Sequence, residues 1–478
     1  MASAVGRQQV SALSLVERAL DKAEQIQVST NAFSHIHREE ALAQAHLRDG
    51  SIKNGERLGL LAGVPLVLKD NILQANRPAT CGSAMLRNYI APFDAECVRR
   101  LLAAGAIIIG RGNMDEFGMG SSTEHCAWGE VRNPWRLDRV PGGSSGGPAA
   151  AVASGVVGLA LASDTGGSAR QPGAFTGVVA IKPTYGRISR RGLVAFASST
   201  DQVAPMARTV RDTALLARVV SGHDQKDQTS LKEAVVDWVT ACERPVAGMK
   251  IGLPKEYFAI DIEGGVRSAI DSTLGRLERL GAQLVEVSLP TTNLALACYY
   301  ILAPAEASAN LARFDGVRFG RRLTPGPPAE DLGEFYRRAR SRGFGTEVKR
   351  RILVGTHVLS SGYIEAYYQK ALRVRAQLAH ELGEVFGKVD VVATPTTPHV
   401  AFEFGTRTDP LSMYREDIFT IPASLSGIPA ISVPCGISQG LPVGLQFMSA
   451  WCDEASCFTA AAAVEATTTL PHPNVSVL

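Results

Sequence analysis

The chain has 478 residues, of which 45% are hydrophobic and 20% are charged, and its formal net charge is +3. This is the composition of an ordinary globular protein, and so small a net charge gives no reason to expect a nucleic-acid-binding surface. No apolar run is long enough to span a bilayer and the N-terminus has no signal-peptide pattern, so the sequence predicts a cytoplasmic protein without membrane attachment.

Hydrophobic periodicity predicts alternating helices and strands along the chain. The first helix covers residues 13–27, with Ser11 or Ser14 as its cap. Further helices are predicted over 38–47, 94–104, 146–155, 266–280 and 294–314. Strands are predicted at 106–110, 156–162, 249–254, 283–287, 389–393, 431–433 and 441–447, and one more ends at Lys69. This alternation predicts an α/β fold with a large mixed, mostly parallel sheet covered by helices on both faces.

The domain organisation follows from length and local composition. Large α/β enzymes can remain one domain above the usual size limit, so we predict a single domain over residues 1–478. Around residues 290–380 we predict a helical insert, and arginine is frequent from 313 to 351. That stretch is either a solvated helical face or a surface for a protein or RNA partner, and the sequence leaves both open.

Two Gly-flanked serine loops bracket a small, apolar segment. They are Gly142-Gly143-Ser144-Ser145-Gly146-Gly147 and Gly166-Gly167-Ser168. Glycine lets the backbone approach a substrate closely and adopt torsions that a Cβ forbids. A flexible linker is the ordinary explanation of such segments, but a linker has no reason to bracket Ala- and Val-rich core elements. We therefore predict two loops that return to one site.

A lysine ends the apolar strand that precedes these loops. In the segment 63–70, GVPLVLKD, Lys69 follows four residues of strand character. Burial would lower the pKa of its ammonium and make the amine a usable base.

These three segments resemble those of the amidase signature family, which uses a Ser, cis-Ser, Lys triad. The resemblance implies the amidase signature fold, with Ser168 as nucleophile, Ser144 as the bridging serine and Lys69 as base. It also implies a cis peptide bond between Gly143 and Ser144.

The implied mechanism runs through a proton relay. Lys69 in its neutral form would take the proton of Ser168 by way of Ser144, whose hydroxyl both donates and accepts. The backbone N–H groups of the DTGGS turn would stabilise the oxyanion. These oxyanion-hole residues are Thr165, Gly166, Gly167 and Ser168. We expect Ser145, Asp164 and Arg170 to brace the turn without reacting.

One branch of the family is indicated by longer segments. Residues 113–124, NMDEFGMGSSTE, resemble the glutamine-pocket segment of the proteins that supply ammonia to tRNA-dependent amidotransferases, and residues 132–135, 182–187 and 409–420 extend the likeness. A pocket for glutamine needs a cation for its carboxylate and an anion for its ammonium. By resemblance Arg351 holds the carboxylate and Asp417 the ammonium, with Tyr299 beside them.

The resemblance also implies partners. A kinase/transamidase partner, the B subunit, would use ATP and Mg²⁺ to activate glutamate on tRNA(Gln), a small C subunit would brace the pair, and charged tRNA would be held mainly by the kinase/transamidase. No P-loop is found in this chain, and the absence of Cys-x-x-Cys and His-x-x-x-His pairs predicts no metal site, no cofactor and free thiols.

Two other functions share parts of this pattern. A stand-alone amidase acting on another amide has the same triad and differs only at pocket residues such as Arg351 and Asp417. An inactive scaffold would retain the fold, but the intact Lys69, Ser144 and Ser168 argue against it. Whether the acceptor is glutamyl-tRNA(Gln) alone or also aspartyl-tRNA(Asn) stays open.

Overall fold

The computed structural model describes residues 1–56, 58–320 and 331–473. Arg321 and Arg322, which belong to the predicted Arg-rich stretch, lie outside the described residues. Eleven strands of the described part form one sheet, in the order β1-β3-β2-β4-β6-β5-β10-β11-β9-β7-β8. The strands are β1 (Phe33–Ile36), β2 (Pro65–Lys69), β3 (Ile107–Gly112), β4 (Leu159–Asp164), β5 (Val179–Lys182), β6 (Gln202–Ala207), β7 (Lys250–Pro254), β8 (Gln283–Val287), β9 (Val391–Pro395), β10 (Ala430–Ser438) and β11 (Leu441–Ser449).

Seventeen α-helices accompany the sheet in the described ranges. They are α1 (Ala2–Gly6), α2 (Ala12–Thr30), α3 (Arg38–Lys53), α4 (Glu96–Ala103), α5 (Gly146–Ala153), α6 (Arg170–Thr176), α7 (Val210–Val220), α8 (Trp238–Ala241), α9 (Lys255–Phe258), α10 (Gly264–Arg279), α11 (Thr292–Asn310), α12 (Leu332–Gly343), α13 (Thr346–Val358), α14 (Gln369–Phe386), α15 (Pro410–Tyr414), α16 (Ile421–Ser426) and α17 (Glu454–Ala466). Within those ranges no helix combines the length and the apolar character that crossing a membrane requires.

The mixed sheet is confirmed, but the expectation of mostly parallel pairing is wrong. Four neighbouring pairs are parallel and six are antiparallel. Parallel neighbours arise where a helix carries the chain back, as α4 does between β2 and β3. The β10–β11 pair is antiparallel because the chain returns directly through a hairpin, whose turn residues Gln439 and Gly440 both have positive φ.

Helices cover both faces of the sheet because its strands are apolar on both sides. In β2, Leu66 and Leu68 belong to a core with α4 and α7, whereas Val67 belongs to a core with α2 and α5. Alternate side chains of a strand point to opposite faces, so a continuously apolar strand requires cover on each side. The predicted cover on both faces is confirmed.

The first predicted helix is confirmed with the expected cap. The Ser11 hydroxyl accepts a hydrogen bond from the Ser14 backbone N–H at 3.0 Å, which satisfies one of the amides left free at a helix start. α2 ends at Thr30, three residues beyond the predicted end, where Asn31 turns into the left-handed conformation with φ of 51°.

A helical layer formed by α11, α13 and α14 packs beside the carboxyl ends of the central strands. α13 approaches α11 so closely that a Cβ at Gly355 would lie 1.9 Å from the Pro304 carbonyl oxygen. Glycine is therefore required at this crossing. The contact fixes α13, which carries Arg351, against α11, which carries Tyr299 and Tyr300.

Candidate active site

The predicted catalytic residues lie at the carboxyl ends of two neighbouring parallel strands. Lys69 is the last residue of β2, and the turn 165–168 begins directly after β4. Because parallel strands end at the same edge of a sheet, Lys69 and the turn that bears Ser168 are brought together. Ser144 arrives from the loop that precedes α5.

Lys69 contacts Ser144 directly. Its Nζ donates to Ser144 Oγ at 2.7 Å and to the Ser163 carbonyl oxygen at 3.4 Å, and the lysine is fully buried. Burial lowers the pKa of the Lys69 ammonium to about 7, although Asp115, Asp164 and Asp201 oppose this shift. A neutral amine is therefore accessible near neutral pH.

The loop that carries Ser144 is fixed by hydrogen bonds on both sides of a cis peptide. The Gly143–Ser144 bond is cis, as the family resemblance implies. The Gly143 N–H donates to Gln171 Oε1 at 2.9 Å, and the Ser144 carbonyl oxygen accepts from the Asp115 N–H at 3.2 Å. The backbone on both sides of the hydroxyl is thus held by buried partners.

Ser168 is the more accessible of the two serines, with 8% of its area exposed against 1% for Ser144. The Ser168 carbonyl oxygen accepts from the Ser145 N–H at 3.1 Å, and Ser145 Oγ donates to the Ser163 carbonyl oxygen at the same distance. These bonds tie the two serine loops together. Ser145 takes part in both of these contacts.

The turn 165–168 presents backbone N–H groups. Within the described ranges, the amides of Gly166, Gly167 and Ser168 have no acceptor. The turn lies tightly against α11, because a Cβ at Gly166 would be 2.6 Å from Tyr299 Cζ. Thr165 is held from the other side, where its hydroxyl donates to Asp201 at 2.7 Å. Such fixed donors are what an oxyanion requires.

Asp164 and Arg170 form a fully buried ion pair beneath the turn. Arg170 Nη2 lies 2.8 Å from Asp164 Oδ1, and Nε donates to Oδ2 at 2.9 Å. Burial alone would raise the pKa of Asp164, but the guanidinium outweighs burial and holds that pKa below its ordinary value. Arg170 also donates to the Thr420 carbonyl oxygen and to Gln446, so the pair anchors the turn to distant elements.

Asp417 is a buried carboxylate that is bound through one of its two oxygens. Ser121 Oγ donates to its Oδ2, and Tyr300 Oη approaches the same oxygen at 3.4 Å. Burial raises the pKa of Asp417 to about 7, against the opposing effects of Ser121 and Arg351. Oδ1 has no hydrogen-bond partner among the described residues, so it is free to accept from a substrate ammonium.

Arg351 contacts the same Tyr300 that approaches Asp417, and only 3% of its surface is exposed. Its Nε donates to Glu347 Oε1 at 2.8 Å. Burial opposes the positive charge, but the Glu347 carboxylate outweighs burial and raises the pKa of Arg351. The guanidinium lies within 5.6 Å of the ring centroids of Phe196, Tyr300 and Tyr414.

Tyr299 lies between the turn 165–168 and Tyr300, which contacts Arg351 and Asp417. It lies against Gly166, and its ring meets that of Tyr300 edge to face at 5.1 Å. Burial raises the pKa of Tyr299 well above its ordinary value, so the phenol stays protonated. Tyr299 thus links the turn 165–168 to the neighbours of Arg351 and Asp417.

The Amidase family profile matches residues 14–458, which include all these positions. The chain belongs to the amidase family. The resemblance drawn from the motifs, and the fold that it implied, are confirmed.

Relatives of this amidase cover nearly its whole length. The A subunit of glutamyl-tRNA(Gln) amidotransferase from Carboxydothermus hydrogenoformans is 51% identical over 461 residues, which cover 96% of this chain and 94% of that protein. The corresponding protein of Moorella thermoacetica is 50% identical over 465 residues, covering 97% and 95% of the two chains. The crystal structure of the same amidotransferase component from Thermotoga maritima matches with a TM-score of 0.82 at 42% identity, covering 97% of this chain and 95% of that one.

Several residues of the amidase pocket were not foreseen from the sequence. Glu347 and Tyr414 hold Arg351, and Tyr300 reaches Asp417. Glu347 precedes Arg351 by four residues, a spacing that places both on one face of a helix, so this signal was available. Tyr414 gave no such signal because it lies on α15, 67 residues after Glu347.

The described part of the amidase offers no cluster of metal ligands. Across its three ranges, no three or more His, Cys, Asp and Glu side chains are grouped so as to hold a metal ion.

Proposed function

We propose that this chain is the glutamine-hydrolysing component of a tRNA-dependent amidotransferase. One observation carries the proposal: the hydrogen bond between Lys69 and Ser144 lies in one contact network with a buried cation, Arg351, and a buried anion, Asp417. Gly118 links Ser144 to Phe196, Phe196 contacts Arg351, and Tyr300 contacts both Arg351 and Asp417. An amide with both an ammonium and a carboxylate fits this charge pattern. The relatives that carry the amidotransferase name, at about half identity over the whole chain, favour glutamine as that amide.

In the proposed reaction Lys69 is the base, Ser144 the relay and Ser168 the nucleophile. Neutral Lys69 accepts the proton of Ser144 while Ser144 accepts that of Ser168, whose oxygen attacks the side-chain amide carbon of glutamine. The amides of the 165–168 turn stabilise the oxyanion. The relay then returns a proton to the leaving ammonia, and water hydrolyses the glutamyl ester on Ser168.

Substrate recognition is divided between the two sides of the pocket. We assign the α-carboxylate of glutamine to the terminal nitrogens of Arg351 and its ammonium to Asp417. Tyr299 lies between this pair and the catalytic turn, and we propose that its ring forms the wall along which the side-chain amide reaches Ser168.

The ammonia has an acceptor in the proposed complex. We propose that a kinase/transamidase partner, the B subunit, activates glutamate on tRNA(Gln) with ATP and Mg²⁺, and that a small C subunit stabilises the assembly. We also propose that this chain itself acts as one domain and needs no cofactor. Its eight cysteines are all free thiols, which favours a cytoplasmic location because reducing compartments keep thiols unpaired.

Ammonia release tests this function. The chain is co-purified with its partners and assayed with glutamine, with and without ATP and glutamyl-tRNA(Gln). We expect glutamine-dependent ammonia release that Ser168→Ala abolishes, and amidated tRNA only when ATP is present. Hydrolysis of simple aryl amides in preference to glutamine would instead identify a stand-alone amidase, and no release from any amide would identify a scaffold.

A further inference from the structure

Glu347 is a buried carboxylate that the proposed reaction does not use. It lies one helical turn before Arg351 on α13, and the two residues are 5% and 3% exposed. A buried charge is destabilising unless it is paired and hydrogen-bonded. The burial of Glu347 beside Arg351 therefore needs an explanation.

The contacts of Glu347 hold one oxygen in a fixed place. Its Oε1 accepts from Arg351 Nε at 2.8 Å and from Tyr414 Oη at 3.1 Å, while Arg350 Nη1 donates to Oε2. Tyr414 is itself stacked on Tyr300 with 3.7 Å between ring centroids. The acceptor for Arg351 is thus held by a helix and by an aromatic pair.

Three aromatic rings surround the Arg351 guanidinium, but the hydrogen bond to Glu347 determines its orientation. Phe196, Tyr300 and Tyr414 contact the guanidinium at 5.3 to 5.6 Å from their centroids, which confines the group without fixing the direction of its nitrogens. The hydrogen bond at Nε supplies that direction. Among the described residues the two terminal nitrogens have no partner, and they are the pair that binds a carboxylate in bidentate fashion.

We propose that Glu347 is a positioning residue: it turns the terminal nitrogens of Arg351 toward the α-carboxylate of the substrate and thereby makes the site selective for amides that bear one. This inference rests on the proposed function. It assigns the selectivity to the Glu347–Arg351–Tyr414 contact.

A positioning role and a merely structural role differ in what they change. Glu347→Gln keeps an oxygen at the Oε1 position and loses the charge, whereas Glu347→Ala loses the acceptor altogether. Only a positioning role makes the effect depend on whether the substrate has a carboxylate. The probe that lacks it is 4-aminobutanamide, which keeps the amide, the chain and the ammonium of glutamine.

The experiment measures ammonia release by the assembled complex from both amides. For Glu347→Ala we expect the KM for glutamine to rise about 10-fold, as for loss of a hydrogen bond to a charged group, with kcat within about two-fold. Glu347→Gln and Tyr414→Phe should raise the KM by no more than about three-fold, since each keeps the Nε acceptor. The kcat/KM for 4-aminobutanamide should not change in any of them.

The matched control is Glu334→Ala, which removes the acid of another Glu–Arg pair at the same spacing, on α12. It should leave both substrates unaffected. Equal loss of kcat/KM for both amides in Glu347→Ala, or no loss for either, would overturn the inference.

Calorimetric titration of glutamine into complexes that carry Ser168→Ala, with and without Glu347→Gln or Tyr414→Phe, gives a readout independent of turnover. We expect the Kd for glutamine to rise by no more than about three-fold in these two variants and by about 10-fold when Glu347→Ala is combined with Ser168→Ala. An unchanged Kd in the Glu347→Ala complex would contradict the inference. If the wild-type complex binds glutamine and releases no ammonia, the proposed function fails, while this titration still decides the part played by Glu347.

Discussion

At the scale of single residues, the proposed reaction depends on Lys69 and Asp417, whose pKa values burial shifts in opposite directions. Burial lowers the pKa of Lys69 to about 7 and raises that of Asp417 to about 7. In the proposed reaction each must lose its proton to act, Lys69 to become a base and Asp417 to become an anion. Both requirements are therefore met at pH values above about 7.

The need for both groups to be deprotonated predicts how the rate depends on pH. As pH rises through about 7, the kcat/KM for glutamine should rise, because neutral Lys69 and ionised Asp417 accumulate together. As pH falls below both pKa values, the logarithm of kcat/KM should fall with a slope approaching two per pH unit. Initial rates of ammonia release measure this slope. In Asp417→Asn the slope should approach one, and an unaltered slope would contradict the assignment.

Substitution of Asp417 also tests substrate binding at constant pH. Asp417→Asn keeps the shape of the side chain and removes the charge that we assign to the glutamine ammonium. We expect the KM for glutamine to rise about 10- to 100-fold, since a hydrogen bond to a charged group contributes about 1.5–3 kcal/mol. The control is Asp271→Asn, in an exposed pair with Arg267. Equal KM values in wild type and Asp417→Asn would rule out this contact.

At the scale of elements, the crossing of α13 and α11 determines where Arg351 lies. The Gly355 position cannot hold a Cβ without displacing the Pro304 carbonyl. Gly355→Ala should therefore destabilise the protein by about 1–3 kcal/mol, as overpacking typically does, and raise the KM for glutamine.

Chemical denaturation and steady-state kinetics measure the two effects of Gly355→Ala. The control is Gly383→Ala on α14, where an added Cβ meets nothing within 4 Å. That substitution should leave KM unchanged and stabilise the helix slightly. Wild-type stability and KM in Gly355→Ala would show that the crossing does not position α13.

The bounds of β8 were predicted well, and those of β4 were not. β8 is found at the predicted residues 283–287. β4, predicted at 156–162, runs instead from Leu159 to Asp164, because Ser163 and Asp164 pair with β6 although both are polar. No local pattern reveals so distant a partner strand.

At the scale of the whole molecule, Arg170 connects the end of β4 with β11 and α16. It is fully buried and donates to Asp164, to Gln446 and to the Thr420 carbonyl oxygen. Arg170→Met should lower the free energy of unfolding by about 3–5 kcal/mol, because Asp164 is left buried without its partner. Urea denaturation measures the change.

Arg211→Met is the control for that prediction. Arg211 forms an exposed pair with Glu243, and its loss should change stability little because solvent screens such pairs. Similar unfolding midpoints for both variants would contradict the account of Arg170.

Local motifs in the sequence indicated the candidate catalytic residues, but not the long-range contacts that hold them in place. Lys69, Ser144 and Ser168 were selected as catalytic candidates from local motifs, and the parallel pairing of β2 and β4 explains why Lys69 and the turn that bears Ser168 lie at one edge of the sheet. Thr420, which donates to the Gly166 carbonyl oxygen at 2.6 Å, could not be found in this way. Its contact spans 254 residues and leaves no periodic trace in the sequence.

The most direct test of the central claim is the identity of the acylated serine. The assembled complex is mixed with glutamine, quenched in acid during turnover, digested and analysed by mass spectrometry. We predict a glutamyl ester on Ser168, with no ester in Ser168→Ala and none on Ser144 of the wild type. A glutamyl adduct on Ser144, or continued ammonia release by Ser168→Ala, would contradict the account.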